Sequence, residues 1–556
     1  MYTKKRFWVE TECHCVNIYS KDILKFIYFS TGIGEHTIMK KFIKILIIAF
    51  YLGVAVLYLK PVEGDQILAI STIGGKSHWN FMEGILRALT EYGHNVTVMT
   101  PFPSGNRENY TEIDVSNETF SMLRLDIELV QKHLTSYFHT IHYANIYSRK
   151  TCKILYENSF IKNILTDYRS DFDVIFIELM ASECVSYLSA KLDIPLIYVI
   201  PPPLISYLER SVLGHYPNPA VVSHVLANHN IPRTMFERFT NTGLLFYTSF
   251  LLQYKSWSAR IADKESFDQI EPIKPSIIFS NAHFITDAPR PIPPSVIQVG
   301  GIHLSPPKKI PDDVLEFIEN SPHGVIFFTL GSVVAVSSIP VNIRNNIIKV
   351  LSQVPQRVLL KYEDEMIDKP ENIMVRKWFP QRDILVHPNV KLFISHGGIS
   401  GVYEAVDAGV PVLGFPVFFD QSRNLKNLVD AGMAISMNLD SVTKDTFMKA
   451  ILELVKNKKY MQNAKIASDR FKDRPLSPSK AVDYWTRYVI RHKGAPHLKS
   501  QALNLNWYQY FLLDVIAVVI LVILLFYYAI YKTFIFIKKI MFVSNRNQNL
   551  SDNFFY

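Results

Sequence analysis

The residue types that bind phosphates are concentrated in one turn of this chain. Residues 391–395 are apolar and predict a strand, and residues 396–398 (His-Gly-Gly) follow them directly. Residues 400–408 then predict a short helix. Glycines between a strand and a helix let backbone N–H groups approach a phosphate, and the helix N-terminus favours negative charge there. The pattern therefore predicts a diphosphate site, to which His396 adds a hydrogen-bond donor.

Side chains suited to a nucleotide and a sugar surround this turn. Glu404 lies one helical turn after Ser400, and its carboxylate suits two vicinal hydroxyls such as those of a ribose. Asp420 and Gln421 offer acceptors and a donor to hexose hydroxyls. Trp378 supplies an aromatic plane for a base. Each residue also has a plain structural interpretation, since Asp420 is placed to cap a helix and Trp378 to join a core.

A histidine in the first half of the chain is placed for proton transfer. Residues 66–71 predict a strand and residues 79–92 an amphipathic helix, with His78 between them. Ligands of open α/β sheets bind at the carboxyl ends of strands, and histidine titrates near neutrality. His78 is therefore a candidate general base, although a histidine at this position alone is more often a helix-start residue without catalysis. Lys76 and Ser77 mimic a P-loop, but Ile70 stands where that motif needs glycine, which excludes this type of ATPase.

Four segments together resemble the donor-site signature of animal UDP-glycosyltransferases, the group with UDP-glucuronosyltransferases and insect UDP-glucosyltransferases. They are residues 378–381 (Trp-Phe-Pro-Gln), 394–398 (Ile-Ser-His-Gly-Gly), 401–404 (Gly-Val-Tyr-Glu) and 416–421 (Pro-Val-Phe-Phe-Asp-Gln). The resemblance runs from about residue 65 to about residue 531. It implies an α/β protein of GT-B fold, with two Rossmann-like domains facing a cleft and a C-terminal transmembrane helix.

The resemblance also implies roles for individual residues. Trp378 would stack on uracil, Glu404 would hold the ribose, and His396 with the turn after it would hold the diphosphate. Asp420 would bind the sugar, whereas Ser400 stands where many relatives carry Asn, so its sugar contact stays open. The implied donor-binding residues are Ser332, Trp378, Gln381, His396, Gly398, Ser400, Gly401, Glu404, Asp420 and Gln421.

Relatives use a histidine in the turn of His78 to deprotonate the acceptor hydroxyl, and they pair it with an acidic residue. Residues 172–178 predict the matching strand, which ends at Glu178, where many relatives have Asp. Asp173 starts that strand and is expected far from the cleft, while Glu183 is a weaker rival. The implied reaction is a single displacement with inversion. No Asp-x-Asp motif lies near the donor segments, so we expect neither a metal nor a cofactor beyond the co-substrate, UDP-sugar.

Composition indicates a membrane protein rather than a nucleic-acid binder. The chain has 556 residues, 48% hydrophobic content and a formal charge of +9, part of which flanks two apolar segments. Residues 510–531 are long enough to span a bilayer, and Lys532, Lys538 and Lys539 follow them. The positive-inside rule then assigns residues 532–556 to the cytosol. The resemblance makes a type I single-pass protein of the endoplasmic reticulum the expectation.

The remaining segments complete the predicted organisation. Residues 1–38 predict a disordered extension, and residues 39–64 resemble a secretory signal peptide. We expect an acceptor-binding domain over 65–295 and a UDP-sugar-binding domain over 296–506, joined by a proline-rich linker.

Four residues bear on luminal modification. Asn109 and Asn117 are candidate glycosylation sites in a polar loop. Cys152 and Cys184 either pair or remain buried thiols, and free thiols are favoured.

The sequence thus predicts an enzyme that moves glucose or glucuronate from UDP-sugar to a hydroxyl of small lipophilic acceptors. Residues 200–270, rich in apolar and aromatic side chains, form either ordinary core or the wall of an acceptor pocket. Two alternatives stay open: a glycosyltransferase acting on membrane lipids, and an inactive protein that binds lipophiles or UDP-sugar. A membrane is an expected partner, nucleic acid is not, and a homo-oligomer is left open.

Overall fold

The computed structural model describes residues 46–48, 64–71, 73–119, 126–134, 136–166, 171–180 and 183–552. The chain divides into two compact units, Met1–Glu63 and Gly64–Tyr556. In the first unit only residues 46–48 are described, and they are helical. The predicted extension over 1–38 and nearly all of the predicted signal peptide over 39–64 therefore lie outside the described residues.

Two parallel sheets form the frame of the second unit. The first, within the described residues, has seven strands in the order β3-β2-β1-β4-β5-β6-β7. Its strands are β1 (Gln66–Ile70), β2 (Asn95–Thr100), β3 (Tyr110–Asp114), β4 (Val174–Glu178), β5 (Leu196–Ile200), β6 (Ile277–Ser280) and β7 (Val296–Gln298). Every residue of β4, β5 and β6 is buried, as expected of a parallel sheet covered on both faces.

The second sheet repeats the same winding. Its six strands, counted over the described residues, run in the order β10-β9-β8-β11-β12-β13. They are β8 (Val325–Thr329), β9 (Arg357–Lys361), β10 (Ile373–Arg376), β11 (Val390–Ser395), β12 (Val412–Gly414) and β13 (Ala434–Ser436). In both sheets the first strand lies inside the sheet and the order reverses beside it, which is the position where doubly wound folds bind ligands.

Helices cover both sheets and are numbered here from residue 64. In the first half they are α1 (Lys76–Glu91), α2 (Ile127–Leu134), α3 (Tyr137–Glu157), α4 (Ser159–Thr166), α5 (Ser186–Leu192), α6 (Glu209–Leu213) and α7 (Met235–Ala262). In the second half they are α8 (Asp312–Glu319), α9 (Val341–Leu351), α10 (Gln381–Leu385), α11 (Ile399–Ala408), α12 (Gln421–Asp430), α13 (Lys444–Lys456), α14 (Lys458–Lys472) and α15 (Pro478–Arg491). Two more follow, α16 (Trp507–Tyr510) and α17 (Leu513–Asp552).

The boundary between the halves lies later than predicted. Strand β7 begins at Val296 and pairs with β6, so it belongs to the first sheet. The predicted border between residues 295 and 296 is therefore too early. A short parallel strand, β7, follows the prolines of residues 289–294. Proline spacing alone does not reveal this strand.

Helix α15 returns from the second half and packs on α1 of the first half. His94 contacts Asp483 of α15 through Nε2 at 2.9 Å, and Arg487 donates to the Tyr92 carbonyl at 3.1 Å. A second contact between the halves comes from a buried tyrosine. The Tyr403 hydroxyl donates a hydrogen bond to the Asn281 carbonyl at 3.1 Å. These contacts fix the two sheets about the cleft between them.

Helix α17 is longer than the predicted transmembrane segment. It covers Leu513–Asp552, and its part Leu513–Ser544 is, among the described residues, the one helix long and apolar enough to cross a membrane. The predicted span over 510–531 starts inside α16 instead. The predicted tail over 532–556 continues the same helix as far as Asp552.

The expectation of free thiols is wrong in this structure. Cys152 of α3 and Cys184 are joined by a disulfide, with their Cα atoms 6.3 Å apart. Sequence reasoning missed the bond because two cysteines separated by 32 positions carry no spacing signal. The bond fastens α3 beside the end of β4, close to the site described next.

Candidate active site

The strand β1 and its neighbour β4 bring two titratable side chains together. Helix α1 begins at Lys76, so His78 lies in its first turn rather than in the turn before it. Glu178 is the last residue of β4, which pairs in parallel with β1. The His78 Nδ1–H donates a hydrogen bond to the Glu178 carboxylate. The Glu178 side chain is buried, whereas that of His78 keeps 23% of its surface exposed.

The electrostatic surroundings favour the protonated imidazole. Burial alone would lower the pKa of His78, but the carboxylates of Glu178 and Asp420 outweigh burial and raise it above its ordinary value. Glu178 also fixes the tautomer, because Nδ1 carries the shared proton and Nε2 is left to accept one. This is the arrangement of a general base with an orienting carboxylate.

The rival acidic residue Asp173 has a different role. Its Oδ2 accepts a hydrogen bond of 2.7 Å from the backbone N–H of Gln66, at the start of β1 and β4. Asp173 thus lies at the opposite edge of the sheet from His78, as predicted. Glu183 falls in a short 3-10 helix after β4, and no contact joins it to His78 in the described part of the chain.

The His-Gly-Gly turn forms a cradle at the end of β11. Gly397 has a φ of +83°, and Gly398 is the N-cap residue of α11. A Cβ on Gly398 or Gly331 would collide with the His396 ring, so both glycines are required for the ring to fit. The first-turn N–H groups of α11 lack intrahelical acceptors and point out of this turn. Such a turn suits a diphosphate.

The chemistry of His396 differs from the expectation in one respect. Burial, with a smaller contribution from the charge of Lys361, lowers the pKa of His396 to about 4. The ring is therefore neutral at pH 7 and offers a hydrogen bond rather than a full charge. Its Nδ1 is buried and has no hydrogen-bond partner among the described residues.

The predicted nucleoside contacts lie on one side of this cradle. The Gln381 Nε2 donates to Glu404 Oε2 at 2.5 Å, and a Cβ on Gly401 would come within 3.2 Å of the same Nε2. Burial raises the pKa of Glu404 to about 7, although the hydrogen bond from Gln381 opposes this shift. Trp378 leaves 62% of its surface exposed, so its ring is open to stacking rather than part of a core.

The predicted sugar contacts Asp420 and Gln421 lie at the start of α12. Asp420 precedes α12 but makes no side-chain capping bond; its Oδ2 instead accepts from Asn424 Nδ2 at 2.7 Å. The Gln421 Oε1 accepts from the backbone N–H groups of Val417 and Phe418 at 2.8 and 3.2 Å. The Gln421 carbonyl oxygen is thus already engaged, and no hydrogen bond of its amide N–H₂ occurs among the described residues.

Two serines of the donor set are less defined. Ser332 follows β8 and is half-buried. The Ser400 carbonyl accepts from His303 Nε2 at 3.3 Å, and its buried Oγ has no hydrogen-bond partner among the described residues. An unpaired buried hydroxyl at a helix N-terminus is a ready ligand for phosphate or sugar oxygen.

Sequence reasoning missed Lys361 and Asn424. Lys361 ends β9, is buried, and forms a 2.6 Å ion pair with Glu363 beside the cradle. Its place at the carboxyl end of a strand was a usable signal. Asn424 donates to the Asp420 carboxylate at 2.7 Å and to the Gly397 carbonyl at 3.1 Å, so it connects Asp420 with the His-Gly-Gly turn.

A cavity of about 560 Å³ opens beside His78. Its size is typical of sites for drug-sized ligands. The wall is mostly apolar and includes Ile73, Leu179, Tyr207, Leu252, Phe267 and Phe418. Part of the wall comes from residues 200–270, since Ile205, Tyr207, Leu208 and Leu252 line the cavity, while Phe246 and Phe250 face outward. His78 therefore lies on the wall of this cavity, where the charge of Asp420 also reaches it.

The comparisons with known proteins agree with this geometry. A family model described as UDP-glucoronosyl and UDP-glucosyl transferase matches residues 65–548. UDP-glucosyltransferase 2 of Dactylopius coccus is 37% identical over 465 residues, 82% of this chain and 89% of that relative. UDP-glucuronosyltransferase 2B15 of Rattus norvegicus is 30% identical over 502 residues, 83% of this chain and 92% of that relative.

The solved structures show the fold. The glycosyltransferase SnogD from Streptomyces nogalater is similar with a TM-score of 0.50 and 14% identity, covering 76% of this chain and 99% of that one. Two parallel sheets about a cleft are the architecture of a GT-B glycosyltransferase. The chain belongs to the family of UDP-glucuronosyl and UDP-glucosyl transferases.

Proposed function

We propose that the protein transfers a hexosyl group, glucose or glucuronate, from UDP-sugar to a hydroxyl of small lipophilic acceptors. The observation that carries the proposal is the position of His78. His78 lines the apolar cavity and hydrogen-bonds to the buried Glu178 carboxylate. The charge of Asp420, on the proposed donor side, contributes to raising the pKa of His78. The proposed base thus lies on the wall of a cavity of about 560 Å³ and within reach of the charge of Asp420.

The proposed reaction is one displacement at the anomeric carbon. The acceptor oxygen forms its bond to this carbon while the bond from the carbon to the UDP phosphate oxygen breaks. Nε2 of His78 takes the proton of the acceptor hydroxyl, and Glu178 stabilises the resulting imidazolium. The electron pair of the broken bond leaves with UDP. Attack from the face opposite to UDP inverts the anomeric configuration.

On the donor side, fixed dipoles stabilise the leaving diphosphate. The first-turn N–H groups of α11 and the neutral His396 ring supply hydrogen bonds without reorganisation. Trp378 stacks on uracil, and Glu404 accepts from the ribose hydroxyls. The remaining proposed donor contacts are Ser332, Gln381, Gly398, Ser400, Gly401, Asp420 and Gln421.

We further propose that the protein is a type I single-pass protein of the endoplasmic reticulum with both domains in the lumen. Helix α17 is long and apolar enough for the span, and Lys538 and Lys539 lie beyond its first half. The disulfide between Cys152 and Cys184 suits an oxidising compartment. Asn109 and Asn117 are both exposed, as luminal glycosylation requires.

The function is tested with microsomes that contain the full chain. They are incubated with a small phenol and, separately, with UDP-glucose, UDP-glucuronate and UDP-N-acetylglucosamine, and the products are identified by mass spectrometry. We expect an O-hexosyl conjugate with UDP-glucose or UDP-glucuronate, and a β-linkage by NMR from the α-linked donor. UDP binding without any conjugate, for phenols and for lipid acceptors alike, would contradict the proposal.

A further inference from the structure

One face of helix α7 is apolar yet exposed. Phe236, Phe250 and Trp257 expose 74, 67 and 61% of their surfaces. The full set along this face is Phe236, Phe239, Phe246, Tyr247, Phe250, Tyr254, Trp257 and Ile261. At about 100° per residue these eight positions fall within an arc of about 100°. We call this set the aromatic face of α7.

The charges of α7 lie outside that arc. Glu237 and Lys255 point to one side of it and Arg238 and Arg260 to the other, by the same helical spacing. A solvated helix face carries polar or charged side chains instead. An uninterrupted aromatic face of this length therefore marks a surface that something apolar covers.

The opposite side of α7 belongs to the proposed acceptor site. Leu252, Ser256 and Arg260 line the cavity beside His78. The same helix thus presents one side to the cavity and another to the exterior. The neighbouring α3 extends the apolar surface, since its Phe138 is exposed and lies under the Lys255 ammonium at 5.2 Å.

The aromatic face is continuous with the start of the apolar helix α17. Phe246 and Phe511 have ring centroids 6.4 Å apart, and Tyr216 stacks on Phe511 at 5.9 Å. The Tyr510 hydroxyl accepts a hydrogen bond from the Tyr216 backbone N–H at 3.0 Å. These contacts hold α7 at the point where the chain enters its proposed span.

We propose that the aromatic face of α7 is a membrane-docking surface that lies in the bilayer interface beside the anchor α17. Phe, Tyr and Trp are the side chains that favour this interface, where apolar rings meet lipid and polar atoms stay hydrated. Continuity with α17 favours lipid over a second copy of the chain as the occupant. Lys255 and Arg238, which flank the face on its two sides, can reach lipid headgroups with their long stems.

Docking has a consequence for the acceptor route. Leu129, Tyr143 and Ile146 line the cavity and are themselves exposed, so they form an apolar rim. With α7 in the interface, this rim lies close to the membrane surface. Lipophilic acceptors dissolved in the bilayer then reach the cavity without crossing bulk water. The docking surface rests on the proposed membrane anchor, whereas this route also rests on the proposed reaction.

The test uses tryptophan fluorescence of the full chain in phosphatidylcholine vesicles, with and without brominated lipid as quencher. Trp257 lies on the aromatic face, and Trp378 is a matched control with nearly equal exposure, 61 against 62%. Trp507, beside α17, reports on the anchor. We expect Trp257→Phe and Trp507→Phe to reduce the lipid-quenched part of the emission and Trp378→Phe to leave it unchanged.

The outcomes separate the proposals. A loss of quenching in Trp507→Phe but not in Trp257→Phe would overturn the docking surface and leave the anchor intact. Protection of Trp257 from both brominated lipid and aqueous iodide would also overturn it, since protein would then cover the face. Phe250→Trp in the Trp257→Phe background should restore the quenching. No arm depends on turnover, so failure of the proposed reaction is detected separately.

Discussion

His78 and Glu178, 100 residues apart in the chain, share a hydrogen bond at the carboxyl edge of the first sheet. The parallel pairing of β1 with β4 sets this contact, because it aligns the ends of both strands. The buried carboxylate orients the ring and raises its pKa, together with Asp420. The orientation, tautomer and pKa of the His78 ring thus depend largely on one contact.

Removal of the Glu178 charge should change both the rate and its pH dependence. The base form of His78 is required, so kcat/KM rises as pH passes upward through a pKa that lies above the ordinary histidine value. In Glu178→Gln the burial that lowers the pKa of His78 remains, but the carboxylate that raises it is gone. The acidic limb of the pH profile of kcat/KM should therefore move to lower pH. We expect kcat to fall about 10²- to 10⁴-fold. Glu178→Asp is the matched control, and an unchanged limb in Glu178→Gln would contradict the pairing.

UDP binding should be coupled to ionisation of Glu404. The pKa of about 7 means that the free site is partly protonated at neutral pH. If the carboxylate accepts from the ribose, UDP binds the ionised form, so affinity should rise up to about tenfold from pH 6 to pH 8. Isothermal titration calorimetry measures this. In Glu404→Gln the titration of UDP itself remains, but the pH dependence of affinity that comes from Glu404 should be lost. Identical pH profiles of UDP affinity for wild type and Glu404→Gln would refute the role of Glu404 as ribose acceptor.

Much of this site follows from the sequence. The strands that end at Ser395 and Glu178 and the turn at Gly398 were predicted within a few residues, because glycine and apolar patterns report local backbone needs. His78 and Glu178 were paired only through the family resemblance. Nothing local in the sequence shows that strands 100 residues apart are neighbours.

The features that the sequence did not reveal depend on the tertiary structure. The neutral state of His396 follows from its burial beside Lys361. The internal use of the Gln421 carbonyl follows from the bend at Val417 and Phe418. Strand β7, which places the domain boundary later than predicted, is too short to give a periodic pattern in the sequence. Each of these is a property of packing rather than of local spacing.

Replacing Asp420 should weaken the use of UDP-sugar more than the binding of free UDP. Its carboxylate faces the cleft near His78 and is held by Asn424 at 2.7 Å. Asp420→Asn keeps the shape and an acceptor for Asn424 but removes the charge. We expect KM for UDP-sugar to rise about tenfold or more, as for loss of a charge-assisted hydrogen bond, with little change in Kd for free UDP. Equal weakening of both would show that Asp420 does not contact the hexose.

The disulfide predicts a specific peptide pair. Digestion of the non-reduced full chain should yield peptides of Cys152 and Cys184 joined to each other, and reduction should release them in mass spectrometry. Replacing both cysteines with alanine should lower the free energy of unfolding by about 3–4 kcal/mol, as expected for a loop of this length. Free thiols at both positions in the native protein would contradict the structure.

The most direct test of the central claim is a single-turnover comparison of wild type and His78→Ala, with UDP-sugar, a phenolic acceptor and the full chain in vesicles. The account predicts that the variant loses conjugate formation about 10²-fold or more, because its base is gone, while its Kd for UDP stays that of the wild type. Conjugate formation at the wild-type rate in His78→Ala would contradict His78 as the base that takes the acceptor proton.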